Sequence, residues 1–468
     1  MIRLFRVFIP TSVLGLLASE LVLIYSCYLV STVMVYSFIT TEFDPQFFLL
    51  NDNGFLRIGL IVACIMAGLY FHDLYGRFRI HSKILLLQQL CLVVGIAFLT
   101  QAFLVYLKKP EWIVPKWMMI FGSALTLILL PAWRLFYGTV VLKAMGNQKL
   151  LFVGSSPILQ EIGAYLVENT ELGLACVGYV DDLEPGTDVA GGKLLGRMDE
   201  LESVVGRLKP DRIVVGMTER RRRLPVNELL QLRFSGIHIE EAFVTYEATF
   251  GRIPIRELRP SQLIFTAELG PRKNNVFWHS VYSVATAAVL TVVFAPFMVI
   301  VAIAVAVSSK GPILYGQKRV GLNDRVFTVY KFRSMYADAE AKTGAVWAQK
   351  HDPRITPVGR WIRRLRLDEL PQLFNVLMGE MAMVGPRPER PEFVQTLTEQ
   401  IPYYRQRHCV KPGITGWAQI NYKYGATLED TVIKLEYDLY YIKNLAFTLD
   451  TFIMFHTLKV MLFSETAQ

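Results

Sequence analysis

The sequence predicts a membrane protein in three parts: an α-helical bundle at the N-terminus, a parallel α/β domain in the middle, and a mixed α/β domain at the C-terminus that opens with a membrane-embedded helix. Three observations predict this. Of 468 residues, 53% are hydrophobic and 19% charged, too apolar a balance for an ordinary soluble chain. The apolar residues gather in a few long runs instead of spreading evenly. Between those runs, short β-type segments alternate with helical ones, the pattern of a parallel sheet. The parts fall at 1–145, 146–270 and 271–468.

The first part holds four apolar stretches, 11–39, 56–75, 84–106 and 113–137, each near the ~20 residues that cross hydrocarbon as a helix. Arg3, Arg6, Arg77, Arg79, Lys83, Arg134, Lys143 and Lys149 lie on one side, which the positive-inside tendency makes cytoplasmic. Lys108, Lys109 and Lys116 on the other side weaken that assignment. No small-residue cleavage site follows the first run, so it reads as a retained anchor. Glu20 inside that run reads as a group at a bundle interface. The five cysteines are scattered, with no metal-type spacing and no expected disulfide framework.

A net charge of +9 suits an anionic membrane or phosphate-bearing substrates as well as nucleic acid. The basic run Arg220 to Arg223 has no aromatic platform beside it, so nucleic acid is not an expected partner.

The middle part carries β-type runs at Leu150–Val153, Cys176–Val180, Arg212–Val215 and Ile237–Phe243. Gly154-Ser155-Ser156 follows the first, and Asp181 and Asp182 end the second, a Rossmann-like layout. A dinucleotide fingerprint needs two further glycines that are absent, so the domain reads as structural or regulatory. A fifth apolar run, Val276 to Val307, contains Pro296 and is flanked by Arg272, Lys273, Lys310, Lys318 and Arg319. Basic flanks on both sides ask for one membrane face, so a re-entrant element over 276–308, bent at Pro296, is expected.

Chemistry concentrates beyond residue 311. A hairpin is expected over Tyr315–Met335, with alternation placing Lys331 and Arg333 on one face, where two cations can hold a diphosphate. Downstream, Leu367-Asp368-Glu369-Leu370-Pro371-Gln372 opens a helical apolar spacing. This makes Asp368 the expected N-cap, kept anionic by the helix dipole, with Pro371 in the first turn. An ionised carboxylate beside a second can attack phosphorus or hold Mg²⁺. Arg387 is set between Pro386 and Pro388, on a stalk that the prolines stiffen. His408 reads as a structural histidine, and Trp417 as a candidate wall for a nucleoside or for lipid.

The ordered set Lys-Phe-Arg-Ser-Met (331–335), Asp-Pro-Arg (352–354), Leu-Asp-Glu-Leu-Pro-Gln (367–372), Pro-Arg-Pro (386–388) and Lys-Pro-Gly-Ile-Thr-Gly-Trp (411–417) closely resembles the bacterial sugar transferases that act on polyprenyl phosphate, the monotopic phosphoglycosyl transferases. The resemblance runs from about 272 to 464, and the whole chain looks like the family's large form. It implies transfer of a sugar 1-phosphate from a UDP-sugar to polyprenyl (undecaprenyl) phosphate at the cytoplasmic face of the bacterial inner membrane. UMP would leave and a phospho-aspartate would form on Asp368, as the first step of exopolysaccharide or O-antigen synthesis. It further implies Mg²⁺ near Asp368 and Glu369, phosphate binding by Lys331, Arg333 and Arg387, and pairing into a homodimer. The rival readings are a membrane glycosyltransferase that moves sugar without phosphate and a non-catalytic scaffold of polysaccharide assembly.

Overall fold

The computed structural model describes residues 2–4, 6–39, 42–75, 83–169, 172–183, 188–217, 224–256, 270–271, 273–336, 354–422 and 427–463. Arg77, Arg79, Arg220 to Arg223, Arg272, Asp352 and Pro353 lie outside these residues. The chain forms two compact units, 9–240 and 241–468, the second also taking in Arg3–Phe8. A short strand pair, β1 (Ile2–Leu4) and β2 (Val7–Ile9), opens the chain.

In the first unit, α1 (Thr11–Phe38), the short α2 (Pro45–Leu50), α3 (Gly54–Phe71), α4 (Lys83–Tyr106) and α5 (Lys116–Phe136) are followed by a short α6 (Leu142–Met145). Four of these, with α5 extended to Ala144, are long and apolar enough to cross a membrane, and the exposed side chains on them are largely apolar. Small residues bring α1 and α5 together: a Cβ on Gly122 would lie 2.5 Å from the Tyr28 ring, whose hydroxyl meets Ser123 Oγ at 2.9 Å. Glu20 is fully buried at this contact. Arg134 of α5 donates to both its oxygens, at 2.6 and 2.9 Å, and the Tyr75 hydroxyl donates to it at 2.7 Å. The buried charge is therefore paired and hydrogen-bonded within an apolar bundle.

The same unit continues into a six-stranded sheet of order β5-β6-β4-β3-β7-β8. Its strands are β3 (Gln148–Val153), β4 (Leu174–Val180), β5 (Asp188–Val189), β6 (Gly192–Gly196), β7 (Arg212–Val215) and β8 (His238–Glu241). Strands β4 and β7 flank β3 in parallel register, with helices α7 (Pro157–Glu168), α8 (Leu201–Leu208) and α9 (Val226–Phe234) among them. Gly154 turns the chain at φ +96°, and a Cβ there would lie 2.5 Å from the Gly216 carbonyl oxygen. Ser155 and Asp181 bond to each other across the strand ends.

The fourth β-type run is shorter than the sequence suggests. After β8 the chain turns into α10 (Ala242–Phe250), which belongs to the second unit, not to the sheet. There Ile255 N donates to Glu436 Oε1 at 3.1 Å, and Ile253 and Ile255 enter the core.

The second unit contains α11 (Lys273–Ser308), the hairpin β9 (Leu314–Val320) and β10 (Val326–Phe332), α12 (Pro357–Arg364), α13 (Gln372–Leu377), β11 (Ala382–Val384), α14 (Pro391–Gln400), β12 (Gly413–Thr415), α15 (Trp417–Asn421), α16 (Leu428–Lys443) and α17 (Phe447–Phe463). The hairpin is antiparallel, with Val326 opposite Val320 and Lys331 opposite Tyr315.

Helix α11 is 36 residues long and stays helical through Pro296, so the chain does not break at that proline. Its buried residues His279, Ser283, Ala287, Met298, Val301 and Val305 fall within an arc of about 100° at ~100° per residue. One continuous stripe therefore docks on the rest of the unit. His279 meets the Val384 carbonyl at 3.0 Å near one end, while Val305 packs with Phe332 and Ile362 near the other. Pro296 removes the donor for the Val292 carbonyl, and Val292 is 76% exposed on the opposite face. The missing bond falls on the undocked side, and packing on both halves keeps the helix continuous.

Removing Glu20 leaves Arg134 buried and unpaired. Glu20→Ala is expected to cost about 3–5 kcal/mol, read as a lowered unfolding temperature of the purified protein in detergent. The apolar pair Glu20→Met with Arg134→Leu is expected to lie closer to wild type, and an unaltered Glu20→Ala protein contradicts the assignment.

Candidate active site

Three segments far apart in sequence meet around one carboxylate. Helix α12 starts at the Thr356 cap, whose Oγ1 accepts from Gly359 N at 2.9 Å. Gly359 backs onto the chain leaving β10, where a Cβ would lie 1.9 Å from the Ser334 carbonyl oxygen. The helix ends at Arg364, and Arg366 reverses the chain with φ +57°, unusual for a non-glycine residue. A single 3₁₀ turn, Leu367–Glu369, then carries both carboxylates. Asp368 is thus not the N-cap of α13: that helix begins at Gln372, with Pro371 preceding it. Asn375 fixes α13 to β10, accepting from Tyr330 N at 3.1 Å and donating to the Thr328 carbonyl at 2.7 Å.

Glu369 Oε1 lies 3.2 Å from Arg387 Nη2, 3.3 Å from Lys331 Nζ and 3.7 Å from Arg366 Nη1. Burial opposes its ionisation, yet Lys331, Arg387 and Arg366 outweigh that and hold its carboxyl well below the usual carboxylate range. Asp368 behaves in the opposite way. Burial pushes it up, the Glu369 charge adds to the rise, and Lys331, Arg363 and Arg366 only partly offset them, leaving it at about 6. The helix dipole that the sequence suggests for Asp368 does not act, because no helix starts there. Two adjacent carboxylates are so driven apart: one permanently charged and clamped, the other poised near neutrality, a pattern typical of reactive sites.

Arg387 stands on a loop set by β11 and β12, which pair in parallel. A Cβ on Gly413 would lie 2.1 Å from Gly385 N, and one on Gly416 2.3 Å from the Gly385 carbonyl oxygen, so the approach needs glycine. The cations Lys331, Arg366 and Arg387, with the partly exposed carboxylate edge between them, can bind a phosphorylated ligand.

Arg333 does not join them. It lies past the end of β10, buried, and donates to the Pro312 carbonyl (2.6 Å) and the Ser309 carbonyl (2.6 Å). It thus caps the C-terminal end of α11, where a cation satisfies orphan carbonyls. Trp417 is likewise not a wall of the site. It is 4% exposed, stacks on Tyr440 at 5.6 Å and donates to the Gly251 carbonyl at 2.7 Å, a core position. His408 is buried against Asp324 at 2.6 Å. Arg366 and Asn375 stand in the motif region, yet only the fold shows their roles. Among the described residues, no group of three or more His, Cys, Asp or Glu side chains forms a metal site.

Residues 274–464, which hold every one of these groups, match the bacterial sugar transferase family, and 70–231 match a CoA-binding domain family. A UDP-glucose:undecaprenyl-phosphate glucose-1-phosphate transferase of Xanthomonas campestris pv. campestris is 33% identical over 340 residues, 68% of this chain and 68% of that protein. The chain belongs to the bacterial sugar transferase family. A UDP-N-acetylgalactosamine-undecaprenyl-phosphate N-acetylgalactosaminephosphotransferase of Aeromonas hydrophila is 44% identical over 216 residues, 46% of this chain. An undecaprenyl-phosphate glucose phosphotransferase of Komagataeibacter xylinus is 46% identical over 191 residues, 40% of this chain. The matches span 50% and 36% of those two relatives' own lengths.

The two strand-end cations should separate experimentally. Arg333→Met is expected to lower the unfolding temperature while leaving the affinity for inorganic pyrophosphate within about twofold of wild type, because it binds carbonyls. Lys331→Met is expected to weaken pyrophosphate binding about tenfold or more, as loss of a charge-assisted contact should. Calorimetric titration of both variants decides, and a pyrophosphate defect in Arg333→Met matching that of Lys331→Met would show that both cations bind phosphate.

Proposed function

We propose that this protein transfers a sugar 1-phosphate from a UDP-sugar to polyprenyl phosphate, releasing UMP, as the first step in building a surface polysaccharide. The observation that carries the reading is the pair Asp368 and Glu369 amid Lys331, Arg366 and Arg387. Relatives that match parts of this chain carry names describing such a transfer.

In the first step an Asp368 oxygen attacks the sugar-bearing phosphorus, and the bond from that phosphorus to the oxygen of UMP breaks. UMP leaves as an anion and needs no proton. In the second step the phosphate oxygen of the lipid attacks the same phosphorus and returns Asp368 as a carboxylate. Lys331 and Arg387 are placed to hold the diphosphate and the charge that develops as UMP departs. Glu369 keeps those cations together and, by its charge, keeps Asp368 near neutrality.

Asp368 and Glu369 are the residues that would hold Mg²⁺. One or two carboxylates plus substrate phosphates satisfy that ion, and it would supply charge neutralisation across the phosphates. Three cations already crowd Glu369 Oε1, so the donor set fits Mg²⁺ in company with a diphosphate better than alone.

Helix α11 bears on where the reaction happens. At ~1.5 Å per residue it is about 54 Å long, more than a ~30 Å hydrocarbon core requires. Both of its ends dock on one folded unit, and its other face exposes Val289, Val292, Ile300, Ile303 and Val307. A helix docked in this way is suited to embed in one leaflet without crossing, which supports a site at headgroup level. The basic flanks of the apolar runs favour the cytoplasmic face of the inner membrane.

A panel of UDP-hexoses and UDP-N-acetylhexosamines assayed with polyprenyl phosphate tests the reading: UMP is the expected product, and UDP would point to transfer of sugar alone. Asp368→Asn is expected to abolish UMP release, a loss of about 10³-fold or more for a missing nucleophile, with normal membrane location. UMP release at the wild-type rate by this variant would refute the nucleophile. For the wild-type protein, kcat/KM for UMP formation should fall as pH drops through about 6, because protonated Asp368 cannot attack and a diphosphate diester does not titrate there. An acidic limb near pH 4 contradicts the assignment.

A further inference from the structure

The loop bearing Arg387 is held by its carbonyl oxygens. Val384 O meets His279 Nε2 at 3.0 Å and accepts from the Tyr441 hydroxyl at 3.1 Å. Pro386 O accepts from Gly413 N at 3.0 Å, Pro388 O from Arg319 Nη1 at 3.1 Å and Glu389 O from Val320 N at 2.9 Å. Arg387 O itself accepts from a buried side chain, Arg407 Nη2, at 2.8 Å.

The same Arg407 nitrogen lies 2.8 Å from Asp438 Oδ2, and Nη1 donates to the Tyr404 hydroxyl at 2.7 Å. The guanidinium also sits 5.2 Å from the centre of the Tyr404 ring. The Arg407 and Asp438 side chains are 8% and 3% exposed. Burying such a pair is costly, and a well-packed apolar replacement is often as stable or more so. Fold stability alone is therefore a poor account of it.

Geometry supplies a better one. Pro386 and Pro388 fix φ on either side of Arg387, and a residue before proline is restricted to extended backbone. Within that extended region φ of Arg387 itself still ranges over roughly ±40°, with a smaller range in the tilt of the peptide plane that follows it. A bond to the Arg387 carbonyl removes that freedom and so sets the direction in which the Arg387 side chain leaves the loop, towards Glu369 at 3.2 Å. Lysine at 407 would keep the charge but lose the planar fork that serves carbonyl, carboxylate and hydroxyl together.

We propose that Arg407, with Asp438 as its counter-ion, is a positioning residue that aims Arg387 at the substrate diphosphate. It touches no substrate. The proposal deepens the transfer reading, and its test is chosen to fail separately from it.

The test is a double-mutant cycle on the full-length protein, read as the affinity for UDP and accompanied by unfolding temperatures. Arg407→Lys is expected to weaken UDP binding about tenfold, as misplacing one charge-assisted contact should. Added to Arg387→Ala, it is expected to change UDP binding by no more than about twofold, since nothing is left to aim. Equal fold-losses in both backgrounds, or no loss when Arg387 is intact, would overturn the proposal, as a merely structural Arg407 would lower both alike. Should Arg407→Lys not fold, Tyr404→Phe replaces it, with a loss of about threefold for one hydrogen bond that also vanishes beside Arg387→Ala. Release of UDP in place of UMP by the wild-type protein would overturn the transfer reading and leave this coupling intact.

Discussion

One oxygen of Glu369 holds the site together. Lys331 comes from the end of the hairpin, Arg366 from a left-handed turn, and Arg387 from the loop after β11, and all three lie within 3.7 Å of it. Without that carboxylate, three cations would face one another unscreened by its counter-charge, and mutual repulsion would drive them apart. With it, they form a cationic cradle whose charge is only partly cancelled. Burial raises the neighbouring Asp368 to about 6, and the Glu369 charge adds to that rise. Glu369 therefore contributes both to binding power and to the state of Asp368.

The scaffold exists to keep that meeting point small. Gly359, Gly385, Gly413 and Gly416 let backbone segments touch where a Cβ would collide. Asn375 ties the helix after the carboxylates to the strand that delivers Lys331. Arg333, two residues beyond Lys331, locks the same strand end to the exit of α11. The long apolar helix and the charged site thus share one rigid connection. In the proposed reaction a lipid phosphate and a water-borne nucleotide have to meet, and such a connection suits that need.

Much of this was legible in the residues. Long apolar runs gave four bundle helices because the 3.6-residue period and length need no distant partner, and alternation gave the hairpin with its charged strand. The order of the arginine, glycine and carboxylate clusters marked Asp368, Glu369, Lys331 and Arg387. What misled was local reasoning about groups whose partners lie far away in sequence. Asp368 looked like a cap because apolar spacing starts beside it, but the left-handed Arg366 spends those residues on a 3₁₀ turn. Arg333 shares strand parity with Lys331, yet the strand ends one residue earlier, and the Val305 carbonyl of α11 with those of Ser309 and Pro312 just past it claim the guanidinium. Pro296 looked like a break because a proline costs a hydrogen bond, but docking over both halves of the helix outweighs that local loss. Trp417 looked like a wall, and the core took it by stacking on Tyr440.

The account stands on a covalent bond between Asp368 and phosphorus. The most direct measurement is peptide mass spectrometry of the full-length protein quenched after mixing with the UDP-sugar that supports turnover, with polyprenyl phosphate left out. The account predicts the mass of one phosphosugar on the peptide containing Asp368, and its disappearance once the lipid phosphate is added. An unmodified Asp368 in protein that releases UMP at full rate, or the adduct on another residue, would contradict it.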